Sequence, residues 1–162
     1  MHELRKALLL PVLLAFAACA GSNDNRNTTA TTVVPPPPRQ VLRVETRPSP
    51  KIPFDPKATK GRADPFKPLL IFAMPDRQTF RDEVVIDFSL ANAKLRGDGG
   101  EFRVRYIVDD EEMQWIDKWE QVVLTGWTPG KHTIRLELVG PDGWPYRNGH
   151  FNVTTRELTI TK

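Results

Sequence analysis

In EFRVRYIV, Glu101 to Val108, the side chains of Phe102, Val104, Tyr106 and Val108 fall on one side and those of Arg103 and Arg105 on the other. A period of two with one apolar side is the mark of a half-buried β-strand. The same pattern recurs on both sides of this stretch. KHTIRLELV (131–139) sets Ile134, Leu136 and Leu138 against Arg135 and Glu137, and EVVIDFSL (83–90) sets Val84, Ile86, Phe88 and Leu90 against Val85, Asp87 and Ser89. LLIFAM (69–74), ended by Pro75, and WEQVVLTG (119–126) add two more strands. Turns are signalled by Gly97-Asp98-Gly99-Gly100, Trp127-Thr128-Pro129-Gly130 and Pro141-Asp142-Gly143, and DDEEMQW (109–115) reads as a polar connection. Toward the C-terminus the apolar phase changes from Phe151 and Val153 to Leu158 and Ile160, which predicts a β-bulge near Thr155 and Arg156. No stretch sustains a helical period with caps. About seven short strands spaced by roughly ten residues predict an all-β fold, an antiparallel β-sandwich.

Upstream of this domain the composition changes. Ten of the 15 prolines lie between Pro35 and Pro68, four of them consecutive at Pro35 to Pro38. Residues 20–68 carry nine Lys or Arg against four Asp or Glu, whereas residues 69–162 carry twelve against fifteen. The net charge of +3 therefore belongs to the Pro-rich part. No basic cluster marks a nucleic-acid footprint on the folded part. Such a segment buries too little apolar area to offset the entropy of ordering it, so residues 19–68 are expected to form a disordered or polyproline II tether. The predicted organisation is 1–18 signal peptide, 19–68 lipidated N-terminus and basic linker, and 69–162 sandwich domain. Within the linker, GRADPFKPL (61–69) holds Phe66 among prolines, and Phe66 is expected to dock the linker on the domain.

The N-terminus has Arg5 and Lys6 followed by twelve apolar residues, Ala7 to Ala18, and then Cys19, the single cysteine of the chain. A charged start, an apolar core and small residues at its end form an export signal, too short for a transmembrane helix of about 20 residues. One cysteine forms no intramolecular disulfide. Ala17, Ala18 and Cys19 resemble the lipobox of bacterial lipoproteins, with Phe16 where that family usually has Leu. The resemblance implies diacylation of Cys19 and anchoring in the cell envelope, with the outer membrane favoured because Ala20 is not acidic. Ordinary secretion with an incidental Cys19 is the alternative.

At Gly130 to Pro145 the chain resembles bacterial immunoglobulin-like and fibronectin-type modules, through Gly130, His132, Ile134, Leu136, Leu138, Asp142 and Gly143. That likeness implies a fold and no activity. A shorter one, at the RADPF element, is to lipoproteins of type IV pilus alignment complexes and implies an accessory role in a pilus or secretion machine.

Four tryptophans, Trp115, Trp119, Trp127 and Trp144, lie close in sequence to Tyr146. They read either as core and loop covers or as a binding surface, with Trp127, Trp144 and Tyr146 as candidates for a protein partner or, by stacking on sugar rings, a glycan. Asp109 to Glu112 lacks the ligand spacing of a calcium loop, and His132 and His150 have no zinc spacing, so no metal or other cofactor is expected. His132 is expected at the rim, bonding a turn. With no nucleophile elbow, phosphate-cradling loop or paired histidines, no catalytic residue is assigned. The sequence points to a non-enzymatic envelope protein, a structural or protein-interaction module with an envelope partner, or alternatively a carbohydrate-binding module.

Overall fold

The computed structural model describes residues 40–162. The signal segment, Cys19 and Pro35 to Pro38 lie outside the described residues. Ten strands follow in order: β1 (Arg43–Pro48), β2 (Leu69–Phe72), β3 (Gln78–Phe80), β4 (Val84–Ile86), β5 (Phe88–Ala91), β6 (Arg103–Val108), β7 (Glu111–Ile116), β8 (Glu120–Thr125), β9 (Gly130–Val139) and β10 (Val153–Ile160). Short 3-10 turns occur at Pro56–Thr59 and Arg96–Asp98.

One sheet has five strands in the order β3-β10-β9-β6-β7. The facing layer consists of β1-β8-β4 and the pair β2-β5, joined because β4 and β5 are one extended run that changes partner at Asp87. The Asp87 carboxylate holds this break by accepting from Ser49 Oγ at 3.0 Å, from its neighbour Phe88 N at 2.9 Å and from Gln121 Nε2 at 2.7 Å. The pairing order matches an immunoglobulin-like sandwich, in which strands A-B-E-D face C-F-G. Here β2 and β3 serve as A, β4 and β5 as B, β6 as C, β8 as E, β9 as F and β10 as G. Strand β7 lies beside C, and β1 occupies the place of D. Tyr106 pairs with Leu136 and Val104 with Leu138, so the inward stripe of EFRVRYIV meets that of KHTIRLELV. Leu70, Val84, Ile86, Phe88, Val122, Leu124 and Leu158 close the core from the neighbouring strands.

Four expectations need correction. The tether does not extend to residue 68: Arg43 to Pro48 pairs with Thr125 to Glu120, and Leu42 and Val44 pack on the core. Proline is tolerated there because an edge strand leaves alternate N–H groups unpaired. The domain therefore begins before Leu69. Among the described residues there are ten strands rather than about seven, because A and B are each split and β1 and β7 are added. The polar connection DDEEMQW contains β7; only Asp109 and Asp110 form the turn, at φ +49° and +64°. Two left-handed residues between paired strands make the tight hairpin that the sheet twist favours.

No bulge exists in β10, which pairs continuously with β9 from Val153↔Glu137 to Ile160↔Gly130. The register shift lies instead between Tyr106 and Ile107 against β7. The inward phase of β10 is even-numbered throughout, occupied early by polar side chains. Asn152 is buried; its Oδ1 accepts from Leu70 N at 2.7 Å and its Nδ2 donates to Pro68 O at 2.9 Å. Arg156 Nε donates to Met74 O at 2.9 Å. Asn152 thus satisfies backbone at the start of β2 and Arg156 the Met74 carbonyl in the crossing to β3, so these inward positions of the last strand are polar.

The outer face of the five-stranded sheet is a charged ladder. Glu137, buried, accepts from Arg105 Nε at 2.8 Å and lies 3.1 Å from Arg135 Nε. Arg103 bonds both carboxylate oxygens of Asp117, which holds that carboxyl below its ordinary range. Arg103 and Arg105 also stack on Trp115, at 4.2 and 5.4 Å from its ring centroid.

Two outcomes follow from this packing. Asn152→Ala removes two buried hydrogen bonds and is expected to lower the unfolding free energy by about 2–4 kcal/mol, read from urea denaturation. Burial pushes the Tyr106 phenol up to about 12. The unfolded phenol ionises near about 10, so the folded state retains its proton longer and stability falls as pH rises from there toward 12. Tyr106→Phe removes this loss, and its alkaline unfolding midpoint is expected to lie higher than that of the wild type.

Candidate functional site

At one end of the sandwich three segments meet: 59–68 before β2, 92–102 between β5 and β6, and 140–152 between β9 and β10. Asparagine side chains hold them together. Asn148 is buried; its Nδ2 donates to Asp64 O at 2.9 Å and Pro68 O at 3.3 Å, and its Oδ1 accepts from Asp64 N at 2.9 Å. Asn92, at φ +53°, donates to Pro65 O at 2.7 Å. Gly149 has φ +58°, and a Cβ there would lie 2.0 Å from Arg62 O, so this close approach requires glycine. Arg62 covers the Phe151 ring at 5.6 Å.

The loop carrying Trp144 is equally constrained. Gly140 N donates to Trp144 O at 3.0 Å, Trp144 N donates to Asp142 Oδ1 at 3.1 Å, and Tyr146 N donates to Leu138 O at 2.7 Å. Phe102 meets Tyr146 edge-on, with centroids 5.8 Å apart. On this fixed backbone two large apolar side chains are bare, Phe66 at 90% exposure and Trp144 at 73%. A rigid backbone presenting apolar side chains reduces the ordering cost of an association.

The candidate aromatics separate clearly. Trp144 is exposed and Tyr146 half-buried. Trp127 is only 7% exposed; its indole Nε1 donates to Leu124 O at 3.0 Å and its ring meets His132 at 5.1 Å, so it is a core residue rather than part of a binding surface. Trp119 stacks on Phe88 at 6.4 Å and donates to Phe88 O. Phe66 does not dock its segment on the domain; hydrogen bonds to the flanking backbone of Asp64, Pro65 and Pro68 do, and they leave the ring outside. The roles of Asn92 and Asn148 were missed. Asn148-Gly149 is a turn signal in sequence, but nothing there shows which strand its amide reaches.

At the opposite end the Asp109 carboxylate accepts from Thr133 N at 2.8 Å and lies 2.6 Å from His132 Nδ1. His132 Nε2 lies 2.8 Å from Thr128 O. Both ring nitrogens are thus engaged, and the pair clamps two turns. The adjoining 600 Å³ cleft is lined by charged side chains, including Arg77, Lys131 and Glu157, with no serine or cysteine among them. Among the described residues no group of three or more His, Cys, Asp or Glu side chains is arranged to hold a metal ion. No helix of the described residues is long and apolar enough to cross a membrane.

Strand order defines an immunoglobulin-like β-sandwich domain, and its loop end exposes Phe66 and Trp144. Neither a family's sequence model nor a curated protein matches the chain. Among solved structures, the fibronectin(III)-like modules of Clostridium thermocellum CbhA align with 57% of this chain and 96% of theirs, at 14% identity and a TM-score of 0.41. At that distance the likeness carries no inference, and the class assignment rests on strand pairing alone.

Exposed and buried aromatics are expected to respond oppositely to truncation. Phe66→Ala with Trp144→Ala shifts unfolding free energy by less than about 0.5 kcal/mol, whereas Trp127→Ala costs about 3–5 kcal/mol, measured by the same denaturation.

Proposed function

We infer that this chain is an envelope lipoprotein held by lipid on Cys19, whose sandwich is a structural or protein-interaction module that meets an envelope partner through its loop end. The observation that carries this reading is the pair Phe66 and Trp144, bare on a backbone fixed by the buried Asn148 and by Asn92. Exposed apolar anchors of this kind are costly to leave in water and characteristic of contact surfaces. Of the three aromatics proposed for glycan recognition, the alternative, Trp144 is exposed, whereas Trp127 is buried and Tyr146 is half-buried against Phe102. Because the domain begins near Arg43, 23 residues separate Cys19 from β1 when residues 20–42 are counted. Their contour length bounds the reach from the bilayer to about 80 Å.

Crosslinking in cells, followed by affinity purification of the tagged full-length protein from membranes, tests both parts. Cys19→Ala is expected to release the protein from membranes. Phe66→Ala with Trp144→Ala is expected to leave it there but lose the crosslinked partner. A variant still crosslinked to the same partner would remove the loop end from consideration.

A further inference from the structure

The charge of the sandwich differs between its two ends. The segments at the Phe66 and Trp144 end, 59–68, 92–102, 117–118 and 140–152, hold seven Lys or Arg against five Asp or Glu, whereas the loops at the opposite end, 81–83, 109–110 and 126–129, hold one against four. Two carboxylates of the first end are offset locally. Asp64 lies 3.7 Å from Lys67 Nζ, and Asp117 bonds Arg103. Asp98 accepts from Trp119 N at 2.9 Å and Asp142 from Trp144 N at 3.1 Å, and Glu101 is exposed. Against them stand six exposed cations: Lys60 and Arg62 before β2, Lys94 and Arg96 before β6, Lys118 after β7 and Arg147 beyond Trp144. Among the described residues none of the six is ion-paired.

The two bare rings project rather than form a pocket. The clefts of 480 and 330 Å³ in these segments are lined by Lys94, Glu101 and Phe102 and by Lys60, Ala63 and Pro65, with neither Phe66 nor Trp144 in their walls. A folded partner would need a matched cavity for each projecting ring. The boundary between lipid headgroups and acyl chains needs none, because it takes up apolar and aromatic side chains wherever they enter. Anionic headgroups also attract nearby Lys and Arg.

We propose that the envelope partner of this end is an anionic lipid surface, with Phe66 and Trp144 in the boundary between headgroups and acyl chains and Lys94 and Arg147 among the phosphates. The proposal rests on Phe66 and Trp144 being the contact end, as inferred above, and supplies the chemistry of what they meet. The acidic loops 81–83 and 109–110 then face away from the bilayer. The chain enters the domain at that acidic end, where Gln40 Oε1 accepts from Thr128 N at 3.2 Å. The ten residues of β9 span about 34 Å, less than the contour length between Cys19 and β1, so lipid on Cys19 and the loop end can engage one bilayer. Two attachments hold a protein more firmly than one.

The test uses the full-length chain with Cys19→Ala, which removes any acyl anchor, and vesicles of phosphatidylglycerol, with vesicles of phosphatidylcholine as the uncharged control. The protein is expected to sediment with phosphatidylglycerol alone, and brominated acyl chains are expected to quench indole fluorescence that Trp144→Phe lacks. Lys94→Gln with Arg147→Gln should weaken binding about thirtyfold, as loss of two charges near the surface does. Phe66→Ala with Trp144→Ala should abolish sedimentation; all four positions are exposed, so the fold is retained. No sedimentation, equal binding to phosphatidylcholine, or binding that survives both pairs of substitutions overturns the proposal. If vesicles are not bound but Phe66→Ala with Trp144→Ala still loses the crosslinked partner in cells, that partner is a protein and only the lipid assignment falls. If the crosslink persists as well, the contact end falls with it.

Discussion

Between Phe72 and Gln78 the chain leaves one sheet and joins the other, and the backbone polar groups exposed by that crossing must be satisfied inside the fold. Asn152 bonds the beginning of β2 and Arg156 the carbonyl of Met74 beyond its end. Asp76 accepts from Glu157 N at 2.9 Å, and Arg77 N donates to Glu157 O at 2.7 Å. Together these contacts allow β3 to lie parallel to β10 and dictate a polar inward start for β10. Ahead of β2, Asn148 bonds Asp64 and Pro68, and the Phe66 ring between them stays in solvent.

The outer strands of the two sheets come from distant parts of the chain. A β-sheet edge is an open template, and natural proteins shorten, charge or cover it. In this molecule β1 covers the flank of β8 with residues from the Pro-rich part of the chain, ending at Pro48. A segment whose composition resembles a spacer thereby completes a sheet. Residues 49–52 continue across the outside of that layer, where Ser49 bonds Asp87 and the Ile52 carbonyl accepts from Ser89 Oγ at 2.9 Å. Among the described residues the outer edges of β1 and β7 are both unpaired.

The four tryptophans show how little residue type alone says about use. Trp127 fills the core, Trp119 lies against Phe88, Trp115 is covered by two guanidinium groups, and Trp144 is bare. Their differences come from the neighbouring strand in each case. Trp115 is shielded because Arg103 and Arg105 stand on the adjacent strand with the same outward phase.

Alternation by itself determined the all-β class, the inward stripes of β6 and β9, and the turns at Gly97–Gly100 and Pro141–Gly143, because side-chain period and turn preference are local properties of the backbone. The candidate status of Trp144 was legible for the same reason, since it follows a Pro-Asp-Gly turn. Tertiary structure alone decided that Arg43–Pro48 is a strand, that Asp109-Asp110 closes a hairpin onto β7, that β10 runs without a bulge, and that Trp127 is buried while Phe66 is not. Each of these depends on which distant backbone group a residue must satisfy or which distant strand it lies beside. Asn152 is 82 residues from the amide it bonds, and no periodicity along the chain carries that pairing.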